Sequence, residues 1–318
     1  MTARRVRPFA ERDYNAYARL ASIGEGVRLE PDAARALDAR WDHARFYRSR
    51  VVVADEEDAP LGFGEIRQEP SRYDPGRYFL RLAVDPALRR TGIGAALWDH
   101  VAIELAARDA EIVCLWAGDL TACQAFITKR GFVEVGRAYL EVIAVASAPL
   151  PTPKLEERIA AMGIRITTLA QLREERGDIA LEAAWDLHFA CRSDQPTLGQ
   201  VTAQPYADWL AFNVDDPAAI AEAYFVAVSG DRLVGVSSLR REGEDSLRIG
   251  LTGVLPGFRR RGIGRALKLR VHAWARANRM REIHTSTAAS NKPMVALNDS
   301  LGYVTVGSIG GYELRLRA

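Results

Sequence analysis

The chain has 318 residues, 48% of them hydrophobic, which is enough for two domains with apolar cores and excludes a disordered chain. Its 43 basic residues face 41 acidic ones, and a net charge of +2 leaves no electrostatic footprint for nucleic acid. Three cysteines without paired spacing and five scattered histidines argue against a disulfide scaffold and against a metal centre. The N-terminal stretch lacks an apolar signal core, and no apolar run is long enough to span a bilayer. The expectation is a reduced, cytoplasmic protein without a membrane partner.

In chain order, "VVVADEEDAPLGFGEI" reads as two strands joined by a polar turn, and "YFLRLAVDP" as a further strand ended by Pro86. Next comes "RRTGIGAALWDHV", a glycine turn opening a helix in which Leu97, Val101 and Leu105 recur at helical spacing. "EIVCLWA" is a strand, "AFITKRGFVEVG" a helix end followed by a strand, and "YLEVI" a closing strand. Three prolines in "VASAPLPTPKLEERIAAMG" disfavour regular structure, and Leu155, Ile159 and Met162 then mark a short amphipathic helix.

Beyond that seam the plan repeats. "FVAVSGDRLVGVSSL" mirrors the first strand pair and "LRIGLTGVLP" the strand before the turn. "RRRGIGRALKLRV" mirrors the turn, and Leu267, Val271 and Trp274 keep the helical spacing. "EIHTSTA", "ALNDSLGYVTVG" and "YELRL" follow in the same order. One spacing separates Arg89 from Arg259, Gly92 from Gly262 and Pro86 from Pro256; Gly302 lies one residue further from Gly131. So long a period means two tandem domains rather than a solenoid. The expected division is 1–145, a connecting segment 146–162 with its short helix, and 163–318. Each half reads as an α/β (α+β) arrangement of helices around a mixed sheet.

A strand that turns tightly into a helix points unpaired backbone N–H groups at one spot, with the positive end of the helix dipole behind them. A phosphate is the natural ligand. Gly92, Gly94, Gly262 and Gly264 would let the backbone approach it, and the neighbouring arginines add directed donors. A dinucleotide fingerprint needs a third glycine and a P-loop needs Gly-Lys-Ser/Thr; "GIGAAL" and "GIGRAL" satisfy neither. Glycine helix capping is the plainer alternative, and two hits in matched contexts weigh against it.

The pattern Arg-x-x-Gly-x-Gly after a strand, with a helix and a later "GF" or "GY", resembles the GNAT acyltransferase superfamily in both halves. The resemblance implies acetyl-CoA as co-substrate, a small-molecule amine as acceptor and no metal. It leaves a homodimer open. It also implies two GNAT-like domains, each with a splayed sheet, in which a bulge in the strand before the turn parts two strands and admits pantetheine. On that reading Leu82, Ala83 and Val84, and Thr252, Gly253 and Val254, supply the backbone edges. Arg89, Arg90, Thr91, Gly92, Ile93, Gly94 and Ala95 wrap one pyrophosphate, and Arg259, Arg260, Arg261, Gly262, Ile263, Gly264 and Arg265 the other.

The implied chemistry is direct attack of a neutral amine on a thioester. A backbone N–H at Val84 or Val254 would serve the oxyanion. Where the family often has a tyrosine acid, four residues before the late glycine, stand Ile127 and Asn298; only Asn298 can donate to sulfur. Where it often has a pantetheine-binding asparagine stand Leu120, beside Asp119, and Asn291. The plainer reading of Asn291 is a helix N-cap.

No general base is evident: Tyr78 and Arg81, or Arg248 and Ile249, occupy the strand before the turn. Asp194 sits on the expected substrate-facing loop, where a turn is the plainer reading. Glu65 reads as a solvated strand residue. The acceptor walls fall in residues 22–47 and 188–212, whose aromatics Trp41, Tyr47, Tyr206, Trp209 and Phe212 suit a core as well as a ligand. The expected function is N-acetyl transfer carried by the second half, with the first half catalytically degenerate but able to hold CoA. The alternatives are a CoA-binding sensor or structural protein without turnover, and a longer acyl donor.

Overall fold

A computed structural model of the chain describes residues 4–25, 29–119 and 121–317. Leu120 and part of the first expected acceptor wall, residues 26–28, lie outside the described residues. The first half contains β1 (Arg5–Pro8), α1 (Tyr14–Glu25), α2 (Pro31–Ala39), β2 (Arg48–Ala54), β3 (Pro60–Arg67), β4 (Arg77–Val84), α3 (Ile93–Ala106), β5 (Ile112–Gly118), α4 (Thr121–Lys129) and β6 (Val133–Ala144). The second contains α5 (Pro153–Ala161), β7 (Ile164–Thr168), α6 (Leu169–Arg176), α7 (Ile179–Ser193), α8 (Tyr206–Asn213), β8 (Ala219–Ser229), β9 (Arg232–Arg241), β10 (Ser246–Val254), α9 (Ile263–Ala277), β11 (Glu282–Ala288), α10 (Lys292–Leu301) and β12 (Val304–Arg315).

The compact units are not the two sequence halves. The first comprises residues 1–137, 198–200 and 308–318, and the second residues 138–197 and 201–307. The closing strands have changed places. In the first unit Ile309–Arg315 of β12 pair antiparallel with Ile112–Gly118 of β5. In the second unit Ala138–Ala144 of β6 pair antiparallel with Glu282–Ala288 of β11. The division at 145 and 162 expected from the repeat therefore follows the chain, whereas the packing divides it differently. A strand joins the edge that offers it a ladder and an apolar face, wherever that edge lies in the sequence.

Local chemistry accounts for the shared elements. The β8–β9 hairpin turns through Gly230 and Asp231, with Gly230 at φ +57°. Ile93, Leu97, Val101 and Leu105 bury one face of α3, and Ile263, Leu267, Val271 and Ala275 the same face of α9. Both sheets are splayed. β4 and β5 pair in parallel only from Arg77 to Phe79, and β10 and β11 only from Ser246 to Arg248; beyond these the pairing stops. The expected bulge is present in β10, where the register with β9 shifts between Ile249 and Leu251 around Gly250. In β4 the register with β3 is unbroken from Phe79 to Val84, so that expectation is corrected for the first half. Leu80 stands where β10 has Gly250 and is buried in the core with Ile66 and Val113.

Candidate functional site

The two glycine turns have nearly one conformation. Arg90 has φ +67° and Gly92 +91°; Arg260 has φ +61° and Gly262 +89°. A left-handed arginine is uncommon, and in both turns it is followed by a left-handed glycine that serves as the N-cap of the helix. Nothing lies within 4 Å of where a Cβ on Gly92 would be.

In the first unit the parted strands border a cleft of about 560 Å³. Leu82, Ala83 and Val84 line it from β4, and Arg89, Arg90, Gly92, Gly94 and Ala95 from the turn. β5 and α4 supply Trp116, Phe126, Ile127, Lys129 and Arg130. The cations belong to the turn and the end of α4, and the other side chains are apolar or small. No carboxylate, histidine or tyrosine is among the described lining residues. Thr91 is held by Arg4 and Leu88. The side chain of Ile93 is core, as is that of Ile263, so each contributes only its backbone to the turn. Sequence reading missed Lys129, Arg130, Trp116 and Phe126. The "TKR" run before Gly131 was the available signal for the two cations.

Glu65, expected to be solvated, is fully buried. Its carboxylate lies 3.0 Å from Arg48, 2.5 Å from Arg50, 2.9 Å from Arg67 and 3.8 Å from Arg81. Burial alone would raise its pKa, but the guanidinium groups of Arg67, Arg48, Arg50 and Arg81 reverse this and hold it far below the usual carboxylate range. A carboxylate so held is a poor proton acceptor.

In the second unit the turn carries more charge. The Arg158 guanidinium, from α5, sits where a Cβ on Gly262 would be. Arg261 lies over the Phe258 ring and Arg265 donates to Ser300. Arg259 donates to the Val254 carbonyl and pairs with Asp194 at 2.5 Å, so Asp194 is tied to the turn rather than free at a loop tip. The Thr252 hydroxyl bonds Ser237 at 2.8 Å. A Cβ on Gly253 would lie 2.5 Å from that of Cys191, so this glycine admits α7 against the strand edge. Asn291 accepts from the Met294 N–H and caps α10.

Asn298 is sealed inside. Its amide nitrogen donates to Glu141 at 2.8 Å and to Thr287 at 2.9 Å, which uses both hydrogens and leaves none for a thioester sulfur. The same region replaces an apolar pair of the first unit. Trp98 meets Phe132 edge-to-face at 5.7 Å, whereas at the repeat-related positions the Lys268 Nζ lies 4.4 Å from the centre of the Tyr303 ring. Tyr303 donates to His272 Nε2, whose Nδ1–H donates to the Pro149 carbonyl.

Lys268 Nζ is buried without a hydrogen-bond partner, and burial pushes its pKa down to about 7 against partial opposition from Glu141. Between pH 7 and about 10.5 the unfolded chain keeps a proton that the folded chain has released. Stability is therefore expected to rise with pH across that window, by at most about 1.4 kcal/mol per pH unit. Thermal unfolding from pH 7 to 10 checks this, and Lys268→Met should flatten the profile.

Among the described residues no helix is long and apolar enough to cross a membrane. Two units, each with a splayed mixed sheet and a glycine turn of one conformation that opens a helix, define a class, and comparison with known proteins agrees. Residues 45–134 match the family described as "Acetyltransferase (GNAT) domain" and residues 181–303 that described as "Acetyltransferase (GNAT) family". The mycothiol acetyltransferase of Actinosynnema mirum is 26% identical over 236 residues, 72% of this chain and 72% of that one. That of Catenulispora acidiphila is 26% identical over 302 residues, 93% of this chain and 90% of that one. The solved tandem GNAT protein from the clavulanic acid biosynthesis pathway superposes with a TM-score of 0.73 at 17% identity, covering 99% of each chain. The chain belongs to the GNAT acetyltransferase superfamily, with two such domains in tandem. It is an N-acetyltransferase, and nothing favours the non-catalytic alternative.

Proposed function

We propose that the chain moves the acetyl group of acetyl-CoA to the amine of a small molecule, with transfer in the second half and CoA also held in the first. The observation that supports this is the contrast between the two turns. The first unit has an open cleft with cations at the turn and no carboxylate, histidine or tyrosine among its described lining residues. The second surrounds the same turn with Arg158, Arg259 and Asp194. Acetyl-CoA supplies an activated thioester. The amine nitrogen forms the new bond to the carbonyl carbon, the C–S bond breaks, and the proton lost by nitrogen balances the one gained by the departing thiolate. The Val254 N–H is the proposed donor to the oxyanion. The relatives named mycothiol acetyltransferase favour a low-molecular-mass acceptor over a protein.

Glutamate at Gly92 places a side chain at φ +91° and a carboxylate against the phosphates. Calorimetry with CoA is expected to show the first cleft losing at least tenfold in affinity in Gly92→Glu. In the second half, Gly264→Glu should abolish release of CoA thiol from acetyl-CoA across a panel of amines. Turnover that survives Gly264→Glu would exclude the second half as the seat of transfer. A donor panel separates acetyl from longer acyl groups.

A further inference from the structure

The cleft of the first unit is lined by four cations that no carboxylate pairs with among the described residues. Arg89 and Arg90 border it from the turn, and Lys129 and Arg130 from the end of α4. Asp85, the carboxylate near Arg89, is taken by Arg19 at 2.8 Å. Asp99 acts on Arg130 only at a distance, and burial pushes the pKa of this guanidinium down against that pull. Cations gathered at an open cleft without counter-ions suit an anionic ligand.

The pair on α4 has a fixed place beside the turn. The Arg130 guanidinium lies 3.5 Å over the centre of the Phe126 ring and donates to the Phe126 carbonyl at 3.2 Å. The edge of that ring is 3.4 Å from where a Cβ on Gly94 would be. Arg130 is therefore one aromatic ring away from the first turn of α3, and the exposed Lys129 precedes it in the chain. The positions one repeat later are Ser300 and Leu301. Ser300 is bonded to the Leu297 carbonyl and to Arg265, and Leu301 is 2% exposed. The α4 cations thus belong to the first cleft and are not a general companion of the glycine turn.

The ligand offers two kinds of anion. A pyrophosphate carries one negative charge on each phosphorus and suits a helix N-terminus flanked by Arg89 and Arg90. The ribose of CoA carries a further phosphate, a monoester with a charge of about −1.5 to −2 at neutral pH. The turn cations can balance the first, and the two α4 cations match the second in number and stand on a different element.

We propose that Lys129 and Arg130 form a subsite for the ribose 3′-phosphate, so that the first cleft selects CoA and its thioesters over nucleotides that lack this group. The proposal rests on the reading that the first half holds CoA, and it names the group that decides which ligand enters.

The test is calorimetry with CoA and with dephospho-CoA on the Gly264→Glu chain at one ionic strength. The binding that counts is the part abolished by adding Gly92→Glu. Dephospho-CoA is expected to bind there at least about tenfold more weakly than CoA, the scale of lost hydrogen bonds to a charged partner. Lys129→Gln and Arg130→Gln should each lower the affinity for CoA about three- to thirtyfold and leave that for dephospho-CoA within about twofold. A purely structural role would weaken both nucleotides alike, so the ratio of the two affinities is the readout. Equal affinities before substitution, or a ratio that neither variant changes, overturn the proposal. If neither nucleotide binds at a site that Gly92→Glu removes, the underlying reading falls instead, so the two failures are distinct.

Discussion

A chain ending at Gly307 is expected to lose the folded first unit. β5 pairs with β4 over only three residues, because the sheet splays there. Its long ladder is with Ile309–Arg315, seven residues that come from the far end of the chain. Deleting Ser308–Ala318 strips β5 of that ladder and opens the core around Val113 and Leu115. It also removes Tyr312, which is 4% exposed and bonds Gln124, and Glu313, which pairs with Arg77 at 2.5 Å. Loss of one buried aromatic costs about 3–5 kcal/mol, and a domain has about 5–15 kcal/mol in all. The ladder and the ion pair add to that loss. Far-UV and near-UV circular dichroism with thermal unfolding should show the first unit without cooperative melting. Tyr312→Ala, a milder change, should lower its stability by about 3–5 kcal/mol. A deleted chain that melts in the parent manner would show that the exchanged strand is dispensable.

Glu65→Gln is expected to be nearly as damaging, although it changes one atom's identity. Arg48 and Arg50 are 10% and 5% exposed, and Glu65 neutralises both from a position with no exposure. Asp38 is their other anion, at 2.7 and 2.8 Å. A neutral amide leaves an excess of buried positive charge, and breaking such a pair costs about 3–5 kcal/mol. For a unit of this size that is a fall in Tm of roughly 10 °C or more. The pH dependence follows from the same contacts. The folded pKa of Glu65 lies below its unfolded value near 4.5, so its contribution is fully present above that pH. It is lost as the pH falls toward the folded value. The parent should therefore lose stability below about pH 4.5 more steeply than Glu65→Gln, measured by thermal melts from pH 3 to 7. Parallel curves would remove Glu65 from the acid response.

Both of these predictions concern features on which the linear sequence is silent. Much else was legible in it. The periodicity of Leu97, Val101 and Leu105, and of Leu267 and Val271, is a property of neighbouring residues on one helix, and it marked α3 and α9. The repeated Arg-x-x-Gly-x-Gly likewise encodes a local backbone path, which the paired left-handed Arg90 and Arg260 realise. The order of strands, turn and helix in each half, and from it the family, rests on such short-range signals.

What only the tertiary structure decided depends on which distant groups meet. "YLEVI" and "YELRL" read as strands correctly, but each closes the unit of the other half, since a strand's own sequence does not name its partner edge. Asn298 has the right chemistry to donate to sulfur, yet Glu141 and Thr287 claim both its hydrogens. Glu65 looked like a solvated residue because a strand with mixed neighbours carries no mark of which face is buried, and four arginines from three other positions of the sheet and its own strand converge on it. Burial and pairing are set by long-range packing, and these quantities, not residue type, fix what a titratable side chain can do.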